Sequence, residues 1–408
     1  MRRSHPAALA RASPAAARIA SARAELRHGD TQIVTLCAGL KMNLPLGLRR
    51  TVLRASRMSC VQNALRRTSE GPTVIFYHGV EEQIANPNVQ TLHVPLREFE
   101  KQMRFLQRQR EVISVEHLCQ CLRTGHGLHS RQAVITFDDG YRNNLTIAAP
   151  LLQYLKFPFT VFVSTRHITQ NLRFPTYYLR AAIWHTPRSR IRLRCLRREF
   201  PVDSQASRQA AFHDIASIMK TCARVLHDRI VSEVREQCSP DQWEELAAKY
   251  VSEAPMGWND ITRIRSMGGT IGAHGHDHLI LHRQQPAEEI RRQLSQSKLA
   301  VEAHVGECKF MAYPNGTPSD ISQSAYLDAR LAGYRMCFTT IEAEVVPDAD
   351  CYLAPRVFAP DDFEEFCYCL NRSGDSNAGY RAACRLFRTR EFPATVKTAA
   401  HGACECEG

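Results

Sequence analysis

Two adjacent carboxylates follow an apolar, strand-like run, and their position suits them to chemistry. Residues 134–137 (Val-Ile-Thr-Phe) are followed by Asp138, Asp139 and Gly140. Side chains that are neighbours within a strand point to opposite faces, but a glycine at the strand end permits a sharp turn that brings both to one site. Two ionised carboxylates repel each other, and a cation or a shared proton relieves that repulsion. The pair therefore predicts a site that holds a metal ion or shares a proton.

A cluster of histidines supplies candidate metal ligands. His274, His276 and His278 follow another strand-like stretch at 269–273. His274 and His278 are four residues apart, so one helical turn or a tight loop places both imidazoles on one side, whereas His276 in a helix points elsewhere. With one Asp carboxylate they form a set of two nitrogen ligands and one oxygen ligand, which leaves positions open for water and substrate, as in catalytic zinc sites. A metal-dependent hydrolase is the leading interpretation.

Strand-like and helix-like segments alternate from residue 72 onwards and must position these residues. The strand-like segments are 73–77, 112–115, 133–137, 159–163, 269–273, 309–313, 335–339 and 352–357, and the helix-like ones are 96–106, 148–154, 258–264, 286–304 and 320–332. Such alternation predicts an α/β fold with parallel strands and outer helices, as a barrel or an open sheet. In both, ligands bind at the carboxyl ends of the strands, where both polar clusters lie.

An Arg-rich insertion at about 166–255 interrupts this alternation. Its basic residues include Arg188, Arg190, Arg192, Arg194 and Arg197. Alternation of arginine with apolar residues over 190–194 indicates an edge strand protected by charge. The alternative is a lid that contacts an anionic glycan or a lipid phosphate.

The net charge is concentrated near the N-terminus. Residues 1–70 hold 13 Lys and Arg against 3 Asp and Glu, out of a net charge of +12 for all 408 residues. The remainder is near neutral, which gives no case for nucleic-acid binding. Residues 1–41 are rich in Ala and Arg and are predicted to be disordered, with Met42 as an alternative start. Residues 42–71 form a basic segment, in which 42–67 is either an amphipathic helix on an anionic membrane or a solvated helix on the domain.

The cysteines and the lack of a recognisable signal bear on localisation. Fifteen cysteines are scattered along the chain, and several form C-x-C pairs rather than C-x-x-C motifs. This usage predicts buried free thiols in a reducing compartment. The expected location is the cytoplasm, at the inner face of the membrane if 42–67 binds there, and export stays open.

Three motifs in order resemble those of the polysaccharide deacetylases, the NodB-homology proteins of carbohydrate esterase family four. They are residues 136–140 (Thr-Phe-Asp-Asp-Gly), the pair His274 and His278, and residues 312–316 (Ala-Tyr-Pro-Asn-Gly). The resemblance covers about 72–371, apart from the insertion, and leaves 372–408 as a tail. It implies an irregular (β/α) barrel that removes N- or O-acetyl groups from glycans with a divalent metal.

The resemblance also implies roles for individual residues. Asp139, His274 and His278 correspond to the metal ligands, and this ligand set suits zinc, with cobalt or nickel as substitutes. Asp138 corresponds to the general base. The backbone amide aligned with Asn315 corresponds to an oxyanion donor, since Pro314 has no N–H.

The general acid and an arginine near the base are less directly implied. No C-terminal Leu-x-His motif is evident, but Tyr77-His78 at the end of the first strand resembles an element of the poly-N-acetylglucosamine deacetylases, in which this histidine is the general acid. The usual arginine of the third motif is replaced by Ala312, and Arg356 is the candidate to orient the base in its place. Two further departures are Gly275 and Leu279, where the family has Ser or Thr and Pro.

The expected function is therefore metal-dependent removal of N-acetyl, and less readily O-acetyl, groups from a polysaccharide or glycan intermediate. The alternatives are a non-sugar amidase on the same scaffold and an inactive glycan-binding protein. The expected partner is an acetylated glycan, and the oligomeric state stays open.

Overall fold

We describe the protein from a computed structural model that places residues 71–372 and 376–388. The predicted segments 1–41 and 42–71, apart from Gly71, lie outside the described residues, as does much of the predicted tail at 372–408.

The strands are β1 (Thr73–Tyr77), β2 (Gly79–Glu81), β3 (His93–Pro95), β4 (Glu111–Val112), β5 (Gln132–Phe137), β6 (Phe159–Val163), β7 (Arg190–Leu193), β8 (Arg198–Pro201), β9 (Gly269–Ala273), β10 (Phe310–Ala312), β11 (Met336–Phe338) and β12 (Val357–Phe358).

The helices are α1 (Leu96–Gln109), α2 (Val115–Thr124), α3 (Ala149–Tyr154), α4 (Thr165–Gln170), α5 (Pro175–His185), α6 (Gln205–Thr221), α7 (Arg224–Arg235), α8 (Pro240–Lys249), α9 (Trp258–Ser266), α10 (Ala287–Val305), α11 (Gln323–Leu331), α12 (Phe363–Arg372) and α13 (Asn377–Arg388). A π-helical turn at Asn144–Ala148 leads into α3.

Eight strands form a parallel sheet that curls into an irregular (β/α) barrel, which confirms the predicted fold class. Their order is β11, β10, β9, β6, β5, β1 and β12, and β4 pairs with the first residues of β5. Ala354 bridges to Phe338 in β11, while Val357 pairs with Ile75 in β1. The segment that leads into β12 thus joins both ends of the sheet.

Alternate strand residues enter two different core clusters. Ile75 and Ile135 pack with helix residues such as Phe99 and Leu294, so this cluster lies between the sheet and the helices. Their neighbours on the opposite strand face join a second cluster inside the barrel, which includes Val74, Val134, Phe162, Phe310 and Phe338. Because β1, β5 and β6 are buried on both faces, their sequences are continuous apolar runs.

The insertion has a hydrophobic core of its own. Helices α5, α6 and α7 pack with the β7–β8 hairpin around Leu179, Ile183, Ile191, Ile215 and Ile230. The predicted alternation is confirmed, since Arg190 and Arg192 are exposed while Ile191 and Leu193 are buried. These arginines lie on an antiparallel two-stranded ribbon rather than on the barrel sheet.

A buried ion cluster ties the insertion to the barrel. Glu253, after α8, lies 3.0 Å from the His93 Nε2 of β3 and 3.2 Å from the Arg180 Nη2 of α5. Burial opposes ionisation of Glu253, but Arg180 and His93 hold its pKa below the usual value. The carboxylate therefore stays charged and joins elements from both regions.

Four predicted strands are shorter in the structure, and two of them are shortened for evident local reasons. Ser114 accepts a hydrogen bond from the His117 amide and caps α2, so strand β4 ends at Val112 instead of 115. The last strand was predicted at 352–357, but only Val357–Phe358 continues it. Pro355 lacks an N–H, and the preceding segment makes a single bridge through Ala354.

The packed part of the chain continues past residue 371. Tyr380, Cys384 and Phe387 of α13 are buried in the main core, and the Tyr380 hydroxyl accepts a hydrogen bond from the Asp350 amide. Cys119 and Cys121 of α2 are buried thiols outside any disulfide, as predicted for this C-x-C pair. None of the described helices has both the length and the apolar character needed to cross a bilayer.

Candidate active site

The paired carboxylates lie where β5 ends. The Asp138 amide donates to the Tyr77 carbonyl at 2.9 Å and extends the strand ladder by one residue. Asp139 and Gly140 then have φ of +73° and +83°, so the chain turns sharply. This turn leaves both carboxylates buried, at 2% and 3% exposure. Both carboxylates also lie close enough to His78 and His274 to act on the pKa of each ring, so they face one site.

Arg356 holds Asp138 with two parallel hydrogen bonds. Its Nη1 and Nη2 donate to the two Asp138 carboxylate oxygens at 2.7 and 2.8 Å, and its Nε donates to the Thr339 carbonyl at 2.9 Å. The guanidinium is fully buried and lies 4.5 Å over the ring of Phe76. Burial opposes ionisation of Asp138, but the charge and hydrogen bonds of Arg356 keep its pKa below the usual value.

The two predicted histidine ligands converge on Asp139 from a tight loop. His278 Nε2 lies 3.1 Å and His274 Nε2 3.5 Å from Asp139 Oδ1. His274 Nδ1 donates to the Ala312 carbonyl at 2.8 Å, which leaves Nε2 as the free nitrogen. Burial lowers the pKa of His274 to about 4, so this ring is neutral at neutral pH and has a lone pair to offer.

A charged network fixes the loop that carries these histidines. The Gln293 side-chain carbonyl accepts from the amides of His276 and Asp277 at 3.1 and 2.7 Å. The Asp277 carboxylate is bound by Arg224 from the insertion and by Arg292 from α10. These contacts hold Asp277 away from the metal-ligand candidates, and the pKa of Asp277 is far below its usual range because the arginine hydrogen bonds outweigh burial.

Asp139, His274 and His278 fit a divalent metal ion. One ligand atom from each lies within 4.8 Å of the others. Asp139 Oδ1 is buried and has no hydrogen bond of good geometry, although His278 Nε2 lies 3.1 Å away, so this oxygen is available to a metal ion. Burial opposes ionisation of Asp139, but the surrounding histidines hold its pKa far below the usual range. The donor set of two imidazoles and one carboxylate is one that zinc accepts.

Backbone strain is concentrated around this site. Among the described residues, six that are not glycine have positive φ, and three of them are Asp139, His278 and Asn315. Such conformations cost about 1–3 kcal/mol each and persist only where surrounding contacts impose them. Their clustering marks these strand-end turns as positions at which side-chain placement outweighs local stability.

The other two sequence-predicted residues lie at the ends of β1 and β10. His78 is half-buried, and its Nδ1 has no hydrogen-bond partner. Burial holds the pKa of His78 below its usual value, although the charges of Asp139 and Asp138 act to raise it. The Asn315 side-chain amide donates to Asp320 Oδ2 at 2.5 Å, and the Asn315 backbone carbonyl accepts from the Thr340 hydroxyl at 2.7 Å. The backbone N–H of Asn315 has no acceptor among the described residues.

The insertion contributes residues that the sequence analysis missed. The Phe174 ring meets His278 edge-on, with centroids 5.1 Å apart, and stacks on His167 at 4.3 Å. His276 faces the insertion side, where its Nδ1 lies 2.9 Å from the Thr165 hydroxyl. No local pattern marks Phe174, because its role depends on a contact with a residue 104 positions later in the sequence.

These features define a class of protein: a (β/α) barrel with a paired aspartate and a His-x-x-x-His loop at the carboxyl ends of its strands. A family model for polysaccharide deacetylases matches residues 126–337, just over half of the chain. The chain therefore belongs to the polysaccharide deacetylase family, and the resemblance noted from the three motifs is confirmed.

Solved structures similar to the chain include three deacetylases or related proteins. A Streptococcus pyogenes deacetylase, PplD, in complex with acetate is 13% identical with a TM-score of 0.48, and the match covers 73% of this chain and 96% of that one. IcaB from Ammonifex degensii is 16% identical with a TM-score of 0.48, covering 74% and 97%. The BpsB deacetylase domain from Bordetella bronchiseptica is 16% identical with a TM-score of 0.41, covering 71% and 96%. Comparison with curated protein sequences gives no match.

Proposed function

We propose that the chain removes N-acetyl groups from a polysaccharide or glycan intermediate with the help of a divalent metal ion, zinc in the first instance. The observation that carries this proposal is the convergence of Asp139, His274 and His278 beside an arginine-held Asp138. An N-acetyl group is favoured over an O-acetyl group because a histidine is available to protonate a departing amine.

Asp139, His274 and His278 would hold the metal ion. When bound, a divalent cation acts as a Lewis acid and lowers the pKa of water from about 15.7 to about 7. The neutral His274 ring and the ionised Asp139 are already in the protonation states that metal binding requires.

Asp138 would act as the general base for the attacking water. Its carboxylate stays ionised because the positive charge of Arg356 stabilises it, and the two hydrogen bonds from Arg356 fix the plane of the carboxylate. Arg356 does not touch the reacting atoms in this scheme and is a positioning residue. It takes the place of the arginine that Ala312 replaces in the third motif.

The Asn315 amide and His78 would serve the later steps. The unpaired Asn315 N–H is a candidate donor to the oxyanion that develops on the acetyl carbonyl oxygen. His78 would donate a proton to the departing amine, since its Nδ1 has no protein partner and the charges of Asp139 and Asp138 oppose the lowering of its pKa by burial.

Acetate release from N-acetylated oligosaccharides by the full chain tests this proposal. We expect release that a chelator abolishes and added zinc restores, together with one zinc bound per chain. His274→Ala should lose both the zinc and the activity. Release of acyl groups from non-sugar amides alone would favour the amidase alternative. Glycan binding without release from any substrate, in the zinc-loaded chain, would favour the binding-protein alternative.

A further inference from the structure

A groove of about 800 Å³ lies between the insertion and the loop that follows His278. Leu279 and Asp277 line its barrel side, and residues of α4, α5, α7 and α8 line its insertion side. His167, which also lines the groove, stacks on Phe174 against His278. The groove therefore begins beside the candidate metal ligands and extends along the insertion.

The acidic groups of the groove are already paired with arginines. Asp277 and Asp228 both bind Arg224, and Glu236 binds Arg194 at 2.6 Å. These pairs leave little negative charge to attract a cation or to neutralise further arginines.

Two arginines of the groove, Arg173 and Arg235, have no carboxylate within ion-pair distance among the described residues. Arg173 gives one N–H to the Ala247 carbonyl at 2.9 Å, while its buried Nε has no hydrogen-bond partner. Arg235 lies with its guanidinium carbon 4.8 Å over the ring of Tyr178. Neither positive charge is neutralised by a described carboxylate, so an anion in the groove would meet two unpaired guanidinium groups.

An aromatic surface adjoins these charges. Tyr178 meets Trp243 edge-on at 5.2 Å, and both are partly exposed where they line the groove. Flat apolar rings beside a few polar donors are the usual composition of a small-molecule or saccharide site. The groove thus combines a surface for a sugar ring with two uncompensated positive charges.

We propose that this groove binds a sugar unit that carries a carboxylate or phosphate, next to the unit that is deacetylated. The sugar ring packs on Tyr178 and Trp243, and its anionic group pairs with Arg173 and Arg235. The placement beside the metal site rests on the proposed function, whereas the binding of an anionic saccharide does not.

Calorimetric titration of the full-length, zinc-loaded Asp138→Asn chain tests the groove without consuming the probe. The probes are tetra-N-acetylchitotetraose and the same tetrasaccharide carrying a 6-phosphate or a 6-carboxylate. At low salt we expect both anionic probes to bind about tenfold more tightly than the neutral one, and added salt to reduce this ratio. Arg235→Gln and Arg173→Gln should each reduce the ratio about threefold, because the two arginines share the tenfold preference. Arg192→Gln, which removes an exposed arginine of β7 outside the groove, is the matched control.

Equal affinity for neutral and anionic probes, or an equal loss in Arg192→Gln and Arg235→Gln, would overturn the proposal. Arg235→Gln keeps it testable if Arg173→Gln fails to fold, because the Arg235 side chain is exposed. Acetate release by the wild-type chain is measured on the same probes. Acetate release without any preference for the anionic probes would support the proposed reaction and contradict the proposed anion-binding groove. Tighter binding of the anionic probes without release of acetate from any probe would contradict the proposed reaction and support the proposed groove.

Discussion

The barrel and the insertion place charged residues according to different rules. In the barrel, the side chains of the candidate site follow directly from strand ends, and Asp138 is matched by Arg356. In the insertion, most groove residues project from helices, and Arg173 and Arg235 are left without a carboxylate among the described residues. Under the two proposals above, the barrel provides the chemistry and the insertion provides recognition.

The largest expected effect comes from removing the proposed base. Asp138→Asn keeps the size of the side chain but cannot take a proton, so we expect kcat to fall about 10²–10⁴-fold. Zinc content should stay at one per chain, because Asp138 is not among the candidate ligands. Asp214→Asn, an exposed aspartate of the insertion, is the control and should keep full activity. A similar loss in both variants would remove the distinction between the two regions.

Loss of Arg356 should lower kcat nearly as much as loss of Asp138, and it should also lower the free energy of unfolding. Arg356→Ala leaves a buried carboxylate without its partner, which typically costs about 3–5 kcal/mol. Urea denaturation measures this cost. Arg263→Ala removes an exposed arginine whose nearest acidic partner is 3.8 Å away, and should cost about 0–1 kcal/mol. If the two variants are equally stable, the Arg356–Asp138 pair does not stabilise the barrel.

The junction between the two regions gives a smaller, pH-dependent effect. Glu253→Gln removes the charge that Arg180 and His93 share, and should cost about 1.5–3 kcal/mol at neutral pH. Because the folded-state pKa of Glu253 is lowered, its contribution is complete above about pH 4.3 and is lost as the pH falls through the folded-state value. The difference between wild type and variant should therefore shrink below that pH. A difference independent of pH would show that the carboxylate charge is not what joins the regions.

The smallest effects separate the two cores. Ile215→Val in the insertion core and Ile135→Val in β5 each remove one buried methylene and should each cost about 0.5–1.5 kcal/mol. Hydrogen exchange should accelerate mainly in α5 to α7 for the first variant and in the barrel strands for the second. Identical exchange patterns would mean that the insertion and the barrel unfold as one unit.

Much of the barrel and the placement of several candidate-site residues were predictable from local sequence. The apolar run at 134–137 predicts strand β5. Asp138 and Asp139, which follow it directly, must therefore lie at the carboxyl end of that strand. Arg356 was predicted at the end of the last strand, whereas the structure begins that strand at Val357 and places the Arg356 side chain on Asp138. The roles of these residues in the reaction stay predictions.

The rest depended on contacts that no local pattern records. Asp277, in the loop that carries the histidines, binds both Arg224 and Arg292. Arg224 belongs to the insertion and precedes Asp277 by 53 positions. The arginines that stand out in the sequence, at 188–197, lie on or beside the exposed β7–β8 ribbon, and none of them lines the groove. Arg173 and Arg235 are inconspicuous in the sequence, and their surroundings became evident only from packing.

The closing of the sheet through Ala354 has a consequence for the order of events during synthesis. Asp138 and its partner Arg356 are 218 residues apart, and Arg356 belongs to the segment that joins β11 to β1. A growing chain that has emerged only as far as His278 holds every candidate metal ligand but has no arginine beside its base. Under the proposed function, the base therefore gains its arginine only when the last strand of the barrel is in place, and an incomplete chain would not hydrolyse the substrate efficiently.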